Sequence, residues 1–142
     1  MESLIVLALI SIFLLFPILQ TKHLAKTYQN TYFYKQVNQN LPKLQELCIQ
    51  RKAEGKVVNQ EKQLVFLVGN TIEEKLTIPL PKEVVVSFTT KGDNGKVIDS
   101  IDFDKLGNNS SFPRIYFKDS FQKRTIIYLF QLYRGKFHIR YE

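Results

Sequence analysis

The chain has 142 residues and a mass of 16.6 kDa, a size that suits a single domain. Hydrophobic residues make up 44% and charged residues 23%, which excludes an intrinsically disordered chain. The single cysteine, Cys48, excludes an intrachain disulfide framework and a zinc site built from cysteines. The formal charge of +7 favours a polyanionic partner or an anionic membrane surface over the role of an ordinary soluble enzyme.

The N-terminal segment is strongly apolar, since the sixteen residues from Leu4 to Leu19 carry no charge. As a helix this run would be about 24 Å long, a little short of a bilayer core of about 30 Å. A membrane anchor is still favoured over a buried core helix, because so small a domain could not cover sixteen apolar residues. Lys22 and Lys26 follow the run and nothing basic precedes it. Membrane helices keep their basic flank in the cytoplasm, so this positive-inside rule, taken literally, would place the C-terminal region there. The short span and the absent upstream charge predict a natural N-terminus a few residues before Met1.

The run from Met1 to Ile10 resembles the start of a type IV pilin or pseudopilin. In that family a basic leader and the residues Phe-Thr-Leu precede a glutamate and a long apolar helix; a prepilin peptidase removes the leader and the new amine is methylated. Glu2 matches the family's glutamate, whereas the leader and the Phe-Thr-Leu are missing here. The resemblance implies an assembly surface formed by Glu2, Leu4, Ile5, Val6, Leu7, Leu9 and Ile10.

Glu2 also has a physical argument of its own. A carboxylate at the head of an apolar helix is costly to bury unless it is paired. The family's glutamate is thought to meet the N-terminal amine of a neighbouring subunit and so to set the register of the filament. The alternative is that Glu2 lies among lipid headgroups.

A helical stem is predicted after the apolar run, ending near Gly55. Its apolar residues recur every three or four positions and predict one packed face. That face consists of Leu24, Tyr28, Thr31, Val37, Leu41, Leu44 and Cys48. Asn40-Leu41-Pro42 predicts an interruption with a fresh cap.

After the stem the pattern changes to that of strands separated by turns. The predicted strands are 63–68, 71–78, 83–90, 96–103, 115–118, 125–133 and 136–141. The predicted fold is α+β and pilin-like, with a long N-terminal helix packed on an antiparallel β-sheet and its first half embedded in the membrane. The predicted regions are a membrane and assembly helix (1–20), a helical stem on the sheet (21–56) and an extracytoplasmic β-rich domain (57–142).

Segments of the strand region are similar to the minor pseudopilins of competence pili. They are Leu76–Lys82, Ile101–Asp104, Gly107–Ser111 and the closing Tyr128–Tyr133 with Gly135 and Lys136. The resemblance implies a non-enzymatic, single-pass membrane subunit that reaches the cell surface in a pilus and is required for DNA uptake in transformation. It implies other major and minor pseudopilins, prepilin peptidase and the pilus assembly machinery as partners. The alternatives are a surface DNA receptor of the pilus and a pseudopilin of a type II-like secretion system.

The basic excess is concentrated in two blocks, since residues 20–56 and 114–142 each carry a net charge of +5. In the second block, cations lie among aromatic residues, a combination that can hold phosphates and stack on bases. The candidate DNA-binding residues are Lys123, Arg124, Arg134, Lys136 and Arg140, with Tyr128, Tyr133, Phe137 and Tyr141. The alternative is that the rings belong to the core and the cations to a solvated face. No motif predicts catalysis or a cofactor. No metal site is predicted either, because Asp102 and Asp104 alternate with apolar residues, which is typical of the solvated face of a strand.

Overall fold

The computed structural model describes residues 2–69, 75–90, 96–109, 111–131 and 136–142. Within the first helix, the side chains of residues 2–4, 8 and 13–20 lie outside this description. The predicted turns at Gly69-Asn70, at 92–95 and at 134–135 all include residues outside the described ranges, as does the first part of the predicted strand 71–78.

One continuous helix, α1, covers Glu2–Arg51. The predicted interruption at Asn40-Leu41-Pro42 is wrong, because the helix continues through Pro42 although its nitrogen cannot donate a hydrogen bond. Leu41, next to it, is completely buried in the core. The helix ends where Lys52 turns into the left-handed region, with a φ of 50°. Over the part of the chain that the structure describes, no helix is both long enough and apolar enough to cross a membrane.

The described residues after α1 form nine strands in two antiparallel sheets. The strands are β1 (Gly55–Gln60), β2 (Gln63–Val68), β3 (Leu76–Pro79), β4 (Val84–Thr89), β5 (Val97–Ile98), β6 (Ser100–Phe103), β7 (Arg114–Asp119), β8 (Arg124–Phe130) and β9 (Phe137–Tyr141). The first sheet has the order β3-β2-β1-β6 and the second the order β5-β4-β7-β8-β9. The predicted strand 96–103 is divided at Asp99: β5 before it pairs with β4, whereas β6 after it pairs with β1. The chain thus crosses from the second sheet to the first at this bend.

The core lies between the C-terminal part of α1 and the inner faces of both sheets. Period-2 alternation along each strand sends one set of side chains inward. On β7, for example, Ile115 and Phe117 are completely buried. Phe117 contacts Phe33 of α1 edge-on at 5.7 Å and Tyr128 of β8 at 5.1 Å between ring centroids. Aromatic packing therefore joins the helix to the second sheet.

The predicted fold of one long helix packed on one sheet, pilin-like, is wrong. The described strands form two sheets, and the fold is mainly β. The sequence pattern missed β1, which lies between β2 and β6 in the first sheet and pairs with both. The predicted packed face of the helix is also wrong at its start, because Leu24 is 66% and Tyr28 73% exposed, and Thr31 is exposed as well. Among the side chains that the structure describes, the first buried one on α1 is that of Asn30. Leu24 and Tyr28 are exposed because they lie about 180° around the helix from the buried Phe33 and Val37.

Gly55 allows β1 to approach the end of the helix closely. A Cβ at this position would collide with the Sγ of Cys48. Cys48 itself is completely buried, and this burial raises the pKa of its thiol. The prediction that Cys48 lies on the packed face of the helix is confirmed, and it acts there as a small core residue.

Candidate functional site

The first turns of α1 present apolar side chains to the surroundings. Between 52% and 63% of the side chain is exposed at Ile5, Val6, Leu7, Leu9, Ile10 and Ile12. Because successive helical residues are about 100° apart, these positions surround the helix axis on all sides. A helix that is apolar all round needs an apolar environment. Of the predicted assembly residues, five therefore belong to one exposed apolar segment, while the side chains of Glu2 and Leu4 lie outside the described part.

A second exposed apolar surface on the same helix, the helix stripe, consists of Leu24, Tyr28 and Tyr32. These residues are four positions apart and are between 51% and 73% exposed. The two tyrosine rings stack at 6.4 Å with an angle of 7° between their planes. Gln36 donates a hydrogen bond from Nε2 to the Tyr32 hydroxyl at 3.2 Å, which helps to orient this ring. The stripe thus has an ordered shape and points away from the core.

A groove of about 520 Å³ lies between the stripe and the turn before β4. Tyr32 and Gln36 line it on the helix, and Pro79-Leu80-Pro81 lines it on the other side. Lys26 closes one end through a salt bridge of 2.9 Å from its Nζ to Glu83 Oε1. The hydrogen bond from Lys26 lowers the pKa of the Glu83 carboxyl.

The carboxylate of Asp119, at the end of β7, holds this part of the helix on the second sheet. Asp119 is 1% exposed. Its Oδ2 accepts hydrogen bonds from Asn30 Nδ2 at 3.1 Å and from the Tyr34 hydroxyl at 3.3 Å. Its Oδ1 accepts two more from the backbone N–H groups of Phe121 and Gln122, both at 3.0 Å. Burial, together with the nearby Asp119 charge, raises the pKa of the Tyr34 hydroxyl, so this hydroxyl stays protonated and donates.

The candidate DNA-binding residues do not form one cluster. Lys123 lies in the turn between β7 and β8, and Arg124 has the inward orientation on β8. The guanidinium of Arg124 lies over the Tyr141 ring, 5.4 Å from its centroid. Lys136 and Arg140 are exposed on the opposite face of the sheet, and Arg134 lies outside the described residues.

The aromatic residues predicted to accompany these cations belong mainly to the core. Tyr128 is 1% exposed and donates a hydrogen bond to Asn38 Oδ1 at 2.6 Å. Phe137 is half-buried and packs against Tyr128 with 5.3 Å between ring centroids. Tyr141 is 61% exposed, and Tyr133 lies outside the described part. A basic and aromatic hairpin with all these groups on one side is therefore not formed.

Two cations that the sequence analysis left out share the outer face with Arg140. They are Arg114 and Lys118, which lie on β7 with Tyr116 between them. The sequence held a signal for them, because Arg114, Tyr116 and Lys118 alternate with the apolar Ile115 and Phe117. Their proximity to β9 depends on strand order, which that alternation does not determine.

Comparisons of the chain with protein-family models, with curated proteins and with solved structures found no match.

Proposed function

We propose that this chain is a minor pseudopilin subunit of a competence pilus, assembled through its N-terminal helix and required for the uptake of extracellular DNA. The observation that carries the proposal is the exposed segment of α1, which is apolar on every side. The resemblance of residues 1–10 to pilin N-termini, with Glu2 at the family's position, supports the same role. The proposal rests on this helix and not on the fold of the strand region.

The occupants of the apolar segment are a membrane before assembly and the matching helices of neighbouring pseudopilins afterwards. Both environments remove apolar surface from water, at about 25 cal/mol per Å². Within a bundle of such helices, the Glu2 carboxylate pairs with the N-terminal amine of the next subunit. The helix stripe extends the same contact surface toward the strand region, since Leu24, Tyr28 and Tyr32 are exposed on the same helix.

Replacement of Glu2→Ala tests the assembly role. We expect the variant to fold and to fractionate with the membrane, because the apolar segment and the core are unchanged. Its amount in sheared pili should fall at least about ten-fold, as expected for a lost buried charge pair worth about 1.4 kcal/mol or more. Transformation frequency should fall with it. Immunoblots of membrane and pilus fractions give the measurement.

Glu61→Ala is the matched control, because Glu61 is exposed in the turn between β1 and β2. This control should assemble and transform like the unmodified chain. Unchanged pilus levels and unchanged transformation in Glu2→Ala would contradict the proposed function.

A further inference from the structure

The outer face of the second sheet carries a regular array of side chains. Residues directly opposite each other in an antiparallel pair point to the same face. The registers of β4, β7, β8 and β9 therefore define three outward rows across the sheet. The rows are Val85–Lys118–Thr125, Ser87–Tyr116–Ile127–Arg140 and Thr89–Arg114–Leu129–His138.

This outer face is basic. Arg114, Lys118 and Arg140 lie on it, and Lys136 continues the outward alternation of β9, where its backbone oxygen accepts a hydrogen bond from Gln131 at 3.0 Å. The two cations of β7 are four positions apart, about 13 Å along the strand, and β9 lies two strand spacings from β7, about 9.5 Å. Glu142 continues the first row, since it exchanges two backbone hydrogen bonds with Thr125, and it pairs with Arg140 at 3.3 Å. The other two rows contain no carboxylate, so the four cations of this face outnumber its one acidic side chain. The cations are therefore spread around the middle of the outer face and are not clustered at one position.

An aromatic ring lies in the middle of this array. Tyr116 is half-buried, and its hydroxyl lies 3.4 Å from Arg114 Nη1, which donates to it. Its cross-strand neighbours are Ser87 and Ile127. Although Ile127 faces outward, it is only 5% exposed, because its row neighbours cover it. The ring is thus held in a supported position between cations.

We propose that this outer face binds single-stranded nucleic acid, with phosphates on Arg114, Lys118, Lys136 and Arg140 and a base stacked on Tyr116. A cationic surface that follows a backbone, combined with an aromatic platform, is the common chemistry of single-strand binding. The phosphates of duplex DNA could contact the same cations, but its bases are stacked within the double helix and cannot stack on Tyr116. A lipid surface would need large apolar side chains, whereas the highly exposed ones, Val85 and Val97, lie on the β4–β5 side, away from the cations of β9. This inference goes beyond the proposed function and does not depend on pilus assembly.

The test measures binding of the full-length chain, in nonionic detergent, to a fluorescein-labelled 20-residue oligothymidylate by fluorescence anisotropy. The duplex of the same length, vesicles containing phosphatidylglycerol and polyglutamate serve as competitors. We expect oligothymidylate to bind more tightly than each competitor. Its affinity should decrease with salt, with a slope of about 0.7 in log–log units per neutralised phosphate.

Lys118→Glu/Arg140→Glu should weaken oligothymidylate binding at least about ten-fold and reduce the salt slope by about 1.4, because two phosphate contacts are lost. The neutral pair Lys118→Gln/Arg140→Gln should show the same slope change. Lys43→Glu/Lys105→Glu is the matched control, since it makes the same change in net charge at exposed positions outside the second sheet, with Lys43 next to the first sheet. Tyr116→Leu should bind about five-fold more weakly than Tyr116→Phe, which keeps the ring.

Equal losses in the outer-face and control variants would overturn the proposal, because binding would then follow net charge alone. It would also be overturned if duplex, vesicles or polyglutamate competed as well as the single strand, or if Tyr116→Leu and Tyr116→Phe bound equally. Circular dichroism establishes that each variant is folded. We expect Lys118→Glu/Arg140→Glu to enter pili at the level of the unmodified chain, because this inference does not depend on pilus assembly. Glu2→Ala tests the proposed function on its own.

Discussion

At the scale of single residues, Asp119 is the most highly connected polar side chain of the core. Its two oxygens accept hydrogen bonds from α1 and from the turn after β7. A buried carboxylate is costly unless such donors compensate for its lost hydration. The four hydrogen bonds therefore fix the helix and this turn relative to each other. Asp119 is therefore a structural residue. Its position at the end of a strand does not by itself indicate this, because a carboxylate there could equally lie in solvent.

Replacement of Asp119→Ala should destabilise the fold strongly, because it leaves buried donors of α1 and of the turn without an acceptor. We expect the free energy of unfolding to fall by about 2–4 kcal/mol. Urea unfolding followed by circular dichroism measures this. Asp102→Ala is the control, because its carboxylate is 71% exposed. It makes a 3.6 Å ion pair with Lys56, worth about 1 kcal/mol or less, and accepts a long hydrogen bond of 3.5 Å from the Ser100 hydroxyl. Similar losses in the two variants would show that the Asp119 hydrogen bonds do not hold the helix.

At the scale of elements, α1 has different surroundings along its length. From Asn30 onward one side of the helix is core, with Val37 and Leu41 completely buried. The helix stripe lies on the opposite side of the helix and is exposed. Core contacts thus stabilise one side of α1, while the stripe on the other side is available to other molecules.

Tyr28→Ser and Val37→Ser should distinguish the role of the exposed helix stripe from that of the buried side of α1. Tyr28 is 73% exposed, so Tyr28→Ser should change the free energy of unfolding by about 0.5 kcal/mol or less. It should lower the amount of the subunit in sheared pili. Val37→Ser removes apolar volume from the core and should cost about 2–4 kcal/mol, measured by urea unfolding. A large loss of stability in Tyr28→Ser, or normal pilus levels, would show that the stripe is not a contact surface of the assembled subunit.

At the scale of the whole molecule, the two sheets and the second half of α1 form one folding unit. The chain passes from the second sheet to the first at Asp99, and Asn59 of β1 donates a hydrogen bond to the Val86 carbonyl of β4 at 2.9 Å. Phe103 of the first sheet packs against Phe130 of the second at 5.8 Å. The sheets therefore share one core.

Removal of residues 1–20 should leave this unit folded, because the described buried side chains begin at Asn30. We expect the melting temperature of the 21–142 fragment to stay within about 5 °C of that of the full chain, about 1 kcal/mol for a domain of this size. A 37–142 fragment lacks the buried Phe33 and both helix partners of Asp119, Asn30 and Tyr34, and should melt at least about 10 °C lower or not fold. Thermal unfolding by circular dichroism compares the three chains. A large decrease for the 21–142 fragment would contradict the division of the helix.

The amino-acid sequence by itself determined the local features of this protein. A flanking turn signal indicated β2, and β-branched and aromatic residues indicated β4. On β9, period-2 alternation separated the half-buried Phe137 and Ile139 from the exposed His138 and Arg140. Composition indicated the apolar segment of α1. These predictions were possible because the direction of a side chain along one helix or strand follows from backbone geometry alone.

Only the tertiary structure decided which side of the helix the strands cover and which strands are neighbours. Tyr28 and Val37 are nine positions apart, about 180° around the helix, and the position of the sheets leaves the first exposed and buries the second. Arg114 and Arg140 share one face because β7 and β9 both pair with β8, and Asp119 is buried because Asn30, 89 positions earlier, lies against it. Such contacts depend on the free energy of burying the whole core, which is summed over distant segments and has no local signature in the sequence.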